Sequence, residues 1–493
     1  MPKELALHLE LFIPELSLLV FAIAVILLDL FIRRKGWLVI VSLVGLVVAA
    51  GFTIGMWGGG TQAIFNNMLV VDKFALFFKL LFLGTAALVI LASTDYVFRF
   101  RHFQGEYYAL VLLSALGMML MAATTELISI YLALELTSIS LYVLVGFLKD
   151  SKSSEASLKY LLLGAIASAL LLYGMALLFG ITGTTRLDEI ARTIQAMSLP
   201  TLLSNPALVL SMVLLIAGFG FKIAAVPFHM WVPSVYEGAP TPITAYLSVG
   251  SKAAGFAIIL RVFASTFSLP VWLSLDWGLV LAVLAAIGMT LGNVTALPQT
   301  NIKRMLGYSS IAQAGYLIVG LATAGVSPDT AVMGQSGVLF FLASYTVANL
   351  GAFIAIIAIS NKLDSDLIQD YSGVSKRAPL LALALTLCLI SLIGMPPAAG
   401  FMAKFYIFNG AMQSGLLWLV IIAVVNSVVS AYYYLRVVKV MWFGETVSTE
   451  ALPSSGALRV ALAIACLGVL LLGIIPGTMM NLAQAAARIL ASG

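Results

Sequence analysis

The sequence predicts an all-α integral membrane protein of about fourteen transmembrane helices, two of them discontinuous. Three observations predict it: composition, the alternation of basic loops, and prolines set inside apolar runs. Hydrophobic residues make up 62% of the 493 residues and charged residues only 10%, whereas an ordinary soluble domain has about 25% charged. Mean hydropathy is +1.09. Helix-plus-loop units of roughly 30 to 35 residues, about 20 of them in the bilayer, divide this length into about fourteen. The net charge of +5 comes from basic residues scattered over short loops, which form no single patch and so exclude a nucleic-acid-binding function.

The first apolar run, 11–32, is closed by Arg33, Arg34 and Lys35. It is too long for a signal-peptide core and lacks a small-residue cleavage site, so it reads as a span. Spans follow at about 37–57, 71–93, 106–123, 126–147 and 158–181. Next come 207–223 with a broken continuation, 242–265, 272–293, 304–324, 334–360, 379–413 with a break, 416–442 and 457–480. Connections leaving odd-numbered spans hold Arg33, Arg34 and Lys35; Arg99 and Arg101; Lys149 and Lys152; Lys303 and Arg304; Lys362, Lys376 and Arg377; and Lys439 and Arg459. Those leaving even-numbered spans hold Arg186 and Arg192. This asymmetry puts both termini on the side away from the cytoplasm, and a missed helix would scramble it downstream. Cys388 and Cys466 lie in separate apolar runs with no partner spacing, which predicts packing rather than a disulfide or a metal site.

The two breaks have local causes. In 218–252 an apolar helix carries Lys222 and meets Pro227 five residues later; proline donates no backbone hydrogen bond and clashes with the carbonyl of Ile223. The chain passes His229, Trp231 and Pro233, turns through Glu237 to Pro242, and re-enters an apolar run with Lys252 near its centre. The second break places Gly394, Pro396, Pro397 and Gly400 in mid-span and then supplies Lys404. A faint repeat accompanies them: LYVLVGF at 141–147 aligns with GYLIVGL at 315–321, and LRV at 260–262 with LRV at 435–437. The offset is five spans, an odd number, so the second unit is expected to be inverted; paired interrupted helices in two such halves point to a transport site.

Charge inside the membrane is costly and marks function unless it is merely paired for packing. Glu135 sits in mid-span five, Lys222 beside the first break, Lys252 in mid-span eight and Lys404 in the second broken span. Lys159 opens span six, where snorkelling to the interface competes with a functional role; Lys73 and Lys79 read as snorkelling residues. His229 can serve as a helix cap or as a proton relay. Burial disfavours an ammonium and a nearby carboxylate favours it. An opposed pair about 4 Å apart interacts by roughly 4 kcal/mol at an effective dielectric of 20, so making or breaking a Glu135 contact can switch a lysine between holding and releasing a proton. That is a switch without an engine, since the sequence shows no phosphate-binding loop, iron–sulfur or haem motif, or dinucleotide fingerprint.

Four stretches carry a resemblance: SSEASLKYLLLGAIASALLLYGMALLFG (153–180), GFGFKIAAVPFHMWVPSVYEGAPTPITAYLSVGSKAAG (218–255), QTNIKRMLGYSSIAQAGYL (299–317) and GMPPAAGFMAKFY (394–406). Through them the whole chain resembles the antiporter-like membrane subunits of respiratory complex I, and among these the subunit N type. The resemblance implies an N-terminal three-helix segment (1–100), inverted five-helix repeats at 101–268 and 269–445, and a C-terminal span in 446–493. It also implies a proton-translocating role in a NADH-quinone oxidoreductase of the inner (plasma) membrane, with Glu135, Lys222, Lys252 and Lys404 as the buried proton chain and Lys159 beside it. Quinone, NADH, FMN and iron–sulfur clusters would belong to partner subunits, and the partners would be the other membrane subunits and the lipid bilayer. Ser234 departs from the pattern, since many relatives carry aspartate there; this puts a loop charge pair in doubt. A cation/proton antiporter subunit, an energy-converting hydrogenase subunit and a plain membrane scaffold are the competing readings.

Overall fold

The computed structural model describes residues 9–100, 103–197, 205–266, 277–323, 328–445 and 450–491. Arg101, residues 272–276 at the start of a predicted span, residues 268 and 269 where the two predicted repeats meet, and residue 446 at the start of the predicted C-terminal segment lie outside the described residues. The chain runs through α1 (Ile13–Phe31), α2 (Gly36–Gly55), α3 (Lys73–Ser93), α4 (Gln104–Ala123), α5 (Leu127–Val145) and α6 (Ser151–Thr182). A short α7 (Leu187–Ala196) precedes α8 (Pro206–Ile223), α9 (Val232–Gly238), α10 (Thr241–Tyr246) and α11 (Lys252–Thr266). Then follow α12 (Trp277–Ala296), α13 (Ile302–Ala322), α14 (Pro328–Leu363), α15 (Val374–Arg377), α16 (Pro379–Ile393), α17 (Ala399–Gln413), α18 (Leu417–Phe443), α19 (Gly456–Ile474) and α20 (Gly477–Ala491). Among the described residues thirteen helices are long and apolar enough to cross a bilayer. The remaining predicted span is the broken pair α16 and α17.

Side-chain caps fix several helix starts. Asp72 accepts from the amide of Ala75 (2.7 Å) and Asn301 from that of Arg304 (3.1 Å). Asp150 accepts from the amide of Ser153 (2.7 Å), which begins α6 at Ser151, ahead of the expected 158. Polar residues that hydropathy assigns to a loop are thus helical. Besides the short helices α7, α9 and α15, two elements carry no span-like signal and were not expected. One is the hairpin of β1 (Gln62–Ile64) and β2 (Leu69–Val71), which turns through Phe65, Asn66 and Asn67 at positive φ. The other is α20, which lies against α14 and α3.

The helices are graded by burial, and the gradient positions the site. The most apolar windows of Thr241–Phe263, Ile302–Ala322 and Thr330–Leu363 are 100%, 94% and 94% buried, against 28% for Leu9–Phe31 and Gly456–Ile474. So α10, α11, α13 and α14 form the central column, and the outer helices turn apolar faces outward to lipid or neighbours.

Among the described residues two ion pairs are buried, one outside that column and one reaching out of it from α11. Lys79 reaches Glu15 at 2.6 Å with both side chains at most 2% exposed, so the snorkelling expected of Lys79 is corrected. Its partner lies on α1, out of view of any local pattern. Arg261 on α11 holds Asp72 through two hydrogen bonds (2.9 and 3.0 Å), donates to the carbonyl of Ala122 (2.9 Å) and lies over the Phe74 ring. Removing one partner of a buried pair costs about 3–5 kcal/mol. Asp72→Ala is therefore expected to lower thermal stability and the amount of folded chain in the membrane sharply, as read by unfolding of the purified protein in detergent.

Candidate functional site

Both breaks are built alike at the backbone. After α8, Ala224 adopts a left-handed conformation (φ 60) and Val226-Pro227 is cis; after α16, Gly394 does the same (φ 91) and Pro396-Pro397 is cis. Each break leaves main-chain carbonyls that the helix no longer uses. At the first, the indole of Trp231 donates to the carbonyl of Phe221 (3.1 Å). At the second, the ammonium of Lys404 donates to the carbonyl of Ile393 (2.8 Å). A Cβ on Gly394 would stand 2.8 Å from Cδ of Lys404, so glycine serves here both the positive φ and the lysine's approach.

Lys222, Lys252 and Lys404 are all buried, at 2–4% exposure, and each is held by a serine. Lys222 Nζ donates to Ser138 Oγ (2.7 Å). Lys252 donates to both the carbonyl and the hydroxyl of Ser310. Lys404 donates to Ser427 Oγ (3.0 Å) and lies 4.3 Å from the centre of the Tyr316 ring. Uncharged hydroxyls thus solvate the cations that lipid would expel. Around Ser310 the hydroxyls of Tyr236 and Tyr345 converge, each at 3.2 Å. The turn Leu247–Ser251 just before Lys252 is π-helical, and Asn349 on α14 bonds Ser248 within it (2.6 Å). Such bulges recur at functional sites because they re-aim the side chains that follow.

Glu135 is half-buried and accepts a hydrogen bond from Ser168 on α6, whose hydroxyl also reaches Tyr131 (3.3 Å). No ion pair joins Glu135 to Lys222. Ser138, one helical turn beyond Glu135 on α5, takes the ammonium instead. The direct contact imagined from sequence is open here, with serine hydroxyls at both ends.

The lysines are linked by packing and small polar groups. A Cβ on Gly255, one turn after Lys252, would meet Cγ of Lys222 at 3.4 Å, so the stem of Lys222 lies on the Lys252 helix. Tyr160, stacked on Trp231 (4.6 Å), and Ser251 carry buried hydroxyls with no hydrogen-bond partner among the described residues. Beyond Lys252, a cavity of about 10 Å³ is lined by Gln313, Ser344, Tyr345, Ser391 and Lys404, and Tyr345 also bonds Ser310; that is room for about one water.

Two candidates stand apart from this run. Lys159 is 49% exposed and pairs with Glu155 one turn back at 2.5 Å. His229 is half-buried in the first break, with Nδ1 lacking a partner among the described residues, and it bonds none of the three lysines. Sequence reasoning missed the serines and tyrosines, although the polar cluster Ser309, Ser310 and Gln313 inside an apolar span was a visible signal.

Residues 123–430, which hold Glu135 and all three lysines, match the family described as NADH:quinone oxidoreductase/Mrp antiporter, TM. A NADH-quinone oxidoreductase subunit N of Dehalococcoides mccartyi is 51% identical over 98% of this chain and 100% of its own. The chain belongs to the NADH-quinone oxidoreductase subunit N family. One chain of respiratory complex I from Thermus thermophilus has the same fold as this subunit N family member, with TM-score 0.79 and 34% identity over 95% of this chain and 98% of that one. A chain of the archaeal membrane-bound sulfane sulfur reductase superposes with TM-score 0.87 and 26% identity over 98% and 97%. The fold is therefore shared by respiratory membrane complexes that differ in the chemistry named for them.

Proposed function

We propose that this chain translocates protons as a membrane subunit of a quinone-reducing respiratory complex of the plasma membrane. NADH, FMN and iron–sulfur clusters would serve electron transfer in partner chains, and quinone would be reduced there. The observation that carries the reading is the run of three buried lysines, each solvated by a serine hydroxyl, with Lys252 in the central column and Lys222 and Lys404 on the two broken spans. Glu135 would tune Lys222 by approaching or leaving the ammonium that Ser138 now holds. Lys222 would exchange its proton with Lys252 through water bridging the free hydroxyls of Tyr160 and Ser251, and Lys252 with Lys404 through the small cavity beside Gln313 and Tyr345. His229 and Lys159 would act, if on this path, only at its margins.

Ser310→Ala tests the solvation of the central lysine. The variant keeps the Ser310 carbonyl but removes the hydroxyl shared by Lys252, Tyr236 and Tyr345. A hydrogen bond to a charged group contributes about 1.5–3 kcal/mol, so proton uptake by vesicles and donor:quinone reductase activity should fall together by about tenfold. Wild-type values for both in an assembled complex would remove Ser310 from the path.

A further inference from the structure

A groove of about 400 Å³ lies between α1, α4 and α5, away from the buried lysines. Its floor is apolar, formed by Ile26, Leu110, Leu113, Val143 and Phe147. Its rim carries two opposite charges, Glu106 in the first turn of α4 and Lys149 just beyond the end of α5. Both are exposed, and neither makes an ion pair among the described residues. The Lys149 ammonium rests 4.2 Å from the centre of the Phe103 ring, which also lines the groove. From Glu106 to Leu113 the helix rises about 10 Å, so the groove leads from a charged mouth into the depth of the acyl chains. The mouth lies on the side where the basic loops gather, facing the cytoplasmic leaflet.

We propose that this groove is a binding site for one phospholipid whose headgroup carries both a phosphate and a primary ammonium, that is, a phosphatidylethanolamine of the cytoplasmic leaflet. Lys149 receives the phosphate and Glu106 the ammonium, while the upper part of an acyl chain covers Leu110, Leu113 and Val143. The pairing of charges selects this headgroup. A lipid with the same phosphate but no ammonium would pair with Lys149 and leave Glu106 unmatched beside an anion, and a neighbouring apolar helix would leave both charges at the rim unmatched. The proposal is independent of the proton path.

The test is lipid analysis of the purified assembly after equilibration in nanodiscs containing equal amounts of phosphatidylethanolamine and phosphatidylglycerol. Wild type is expected to retain one more equivalent of phosphatidylethanolamine than Lys149→Gln does. Glu106→Gln is expected to keep a phospholipid but to lose about fivefold of its preference for phosphatidylethanolamine over phosphatidylglycerol, the factor an exposed ion pair supplies. Reductase activity should not change, since neither residue touches the lysine run. Equal retention by wild type and Lys149→Gln would overturn the proposal, as would an unchanged preference in Glu106→Gln. So would a wild-type assembly whose retained lipid mirrors the bulk mixture, the result expected if a protein neighbour fills the groove.

Discussion

Lys222→Met is expected to leave the complex assembled while donor-driven proton uptake and quinone reductase activity both fall by about a hundredfold or more, the scale of a lost acid–base group at about 10²–10⁴. The two parts of this expectation have separate reasons. Methionine matches the volume of the lysine stem and brings no charge, and replacing a buried charge by a packed apolar group is often neutral or stabilising. Ser138 is not stranded, because its hydroxyl also donates to the carbonyl of Leu134 (2.6 Å). Function is lost because Lys222 is the titratable side chain at the first break that both bonds Ser138, one turn from Glu135, and packs on the Lys252 helix, whereas His229 bonds none of the three lysines. Blue-native electrophoresis checks assembly, and vesicle assays check the rest. A structural scaffold predicts the opposite pattern, with stability suffering and activity per complex intact.

The second large effect is expected from a residue that carries no charge. Gly394→Ala puts a methyl group 2.8 Å from Cδ of Lys404 and forces a side chain into φ 91, a conformation that costs about 1–3 kcal/mol. The lysine must then leave the carbonyl of Ile393, the hydroxyl of Ser427 or both. Proton uptake should fall to near the level of a Lys404→Met variant although Lys404 is still present, and the double variant should be no worse than either single one. Additive losses would show that Gly394 acts through general destabilisation of the break.

Much of the fold was legible because its causes are local. Pro227 and Pro397 break helices wherever they fall, Gly394 admits a positive φ, and apolar length sets the spans. What escaped depends on partners distant in sequence. Lys79 looked like a snorkelling residue because Glu15 lies on another helix. The π-helical turn before Lys252 has no signature of its own and is tied to Asn349 across the bundle. The hairpin at 62–71 is too short to alternate visibly, and α20 is too short to read as a span. At the candidate site the charged residues stood out against lipid-like surroundings, whereas Ser138, Ser310 and Ser427 are ordinary residues until a lysine is seen to end on each. The sequence also suggested a direct Glu135–Lys222 contact, and the structure inserts Ser138 between the reading and the geometry. Helical spacing places Ser138 on the face of Glu135, but only packing decides which of them meets the ammonium.

The central claim is that protons move through the buried lysines, and Lys252, between the other two, tests it most directly. The measurement is the number of protons taken up per electron by sealed vesicles containing assembled Lys252→Met complex, in sodium-free medium, beside wild type. Proton translocation through this run predicts that uptake and electron transfer both collapse, or that the protons moved per electron drop where electron flow survives. An unchanged ratio at a wild-type rate would contradict the account and make the three lysines packing residues.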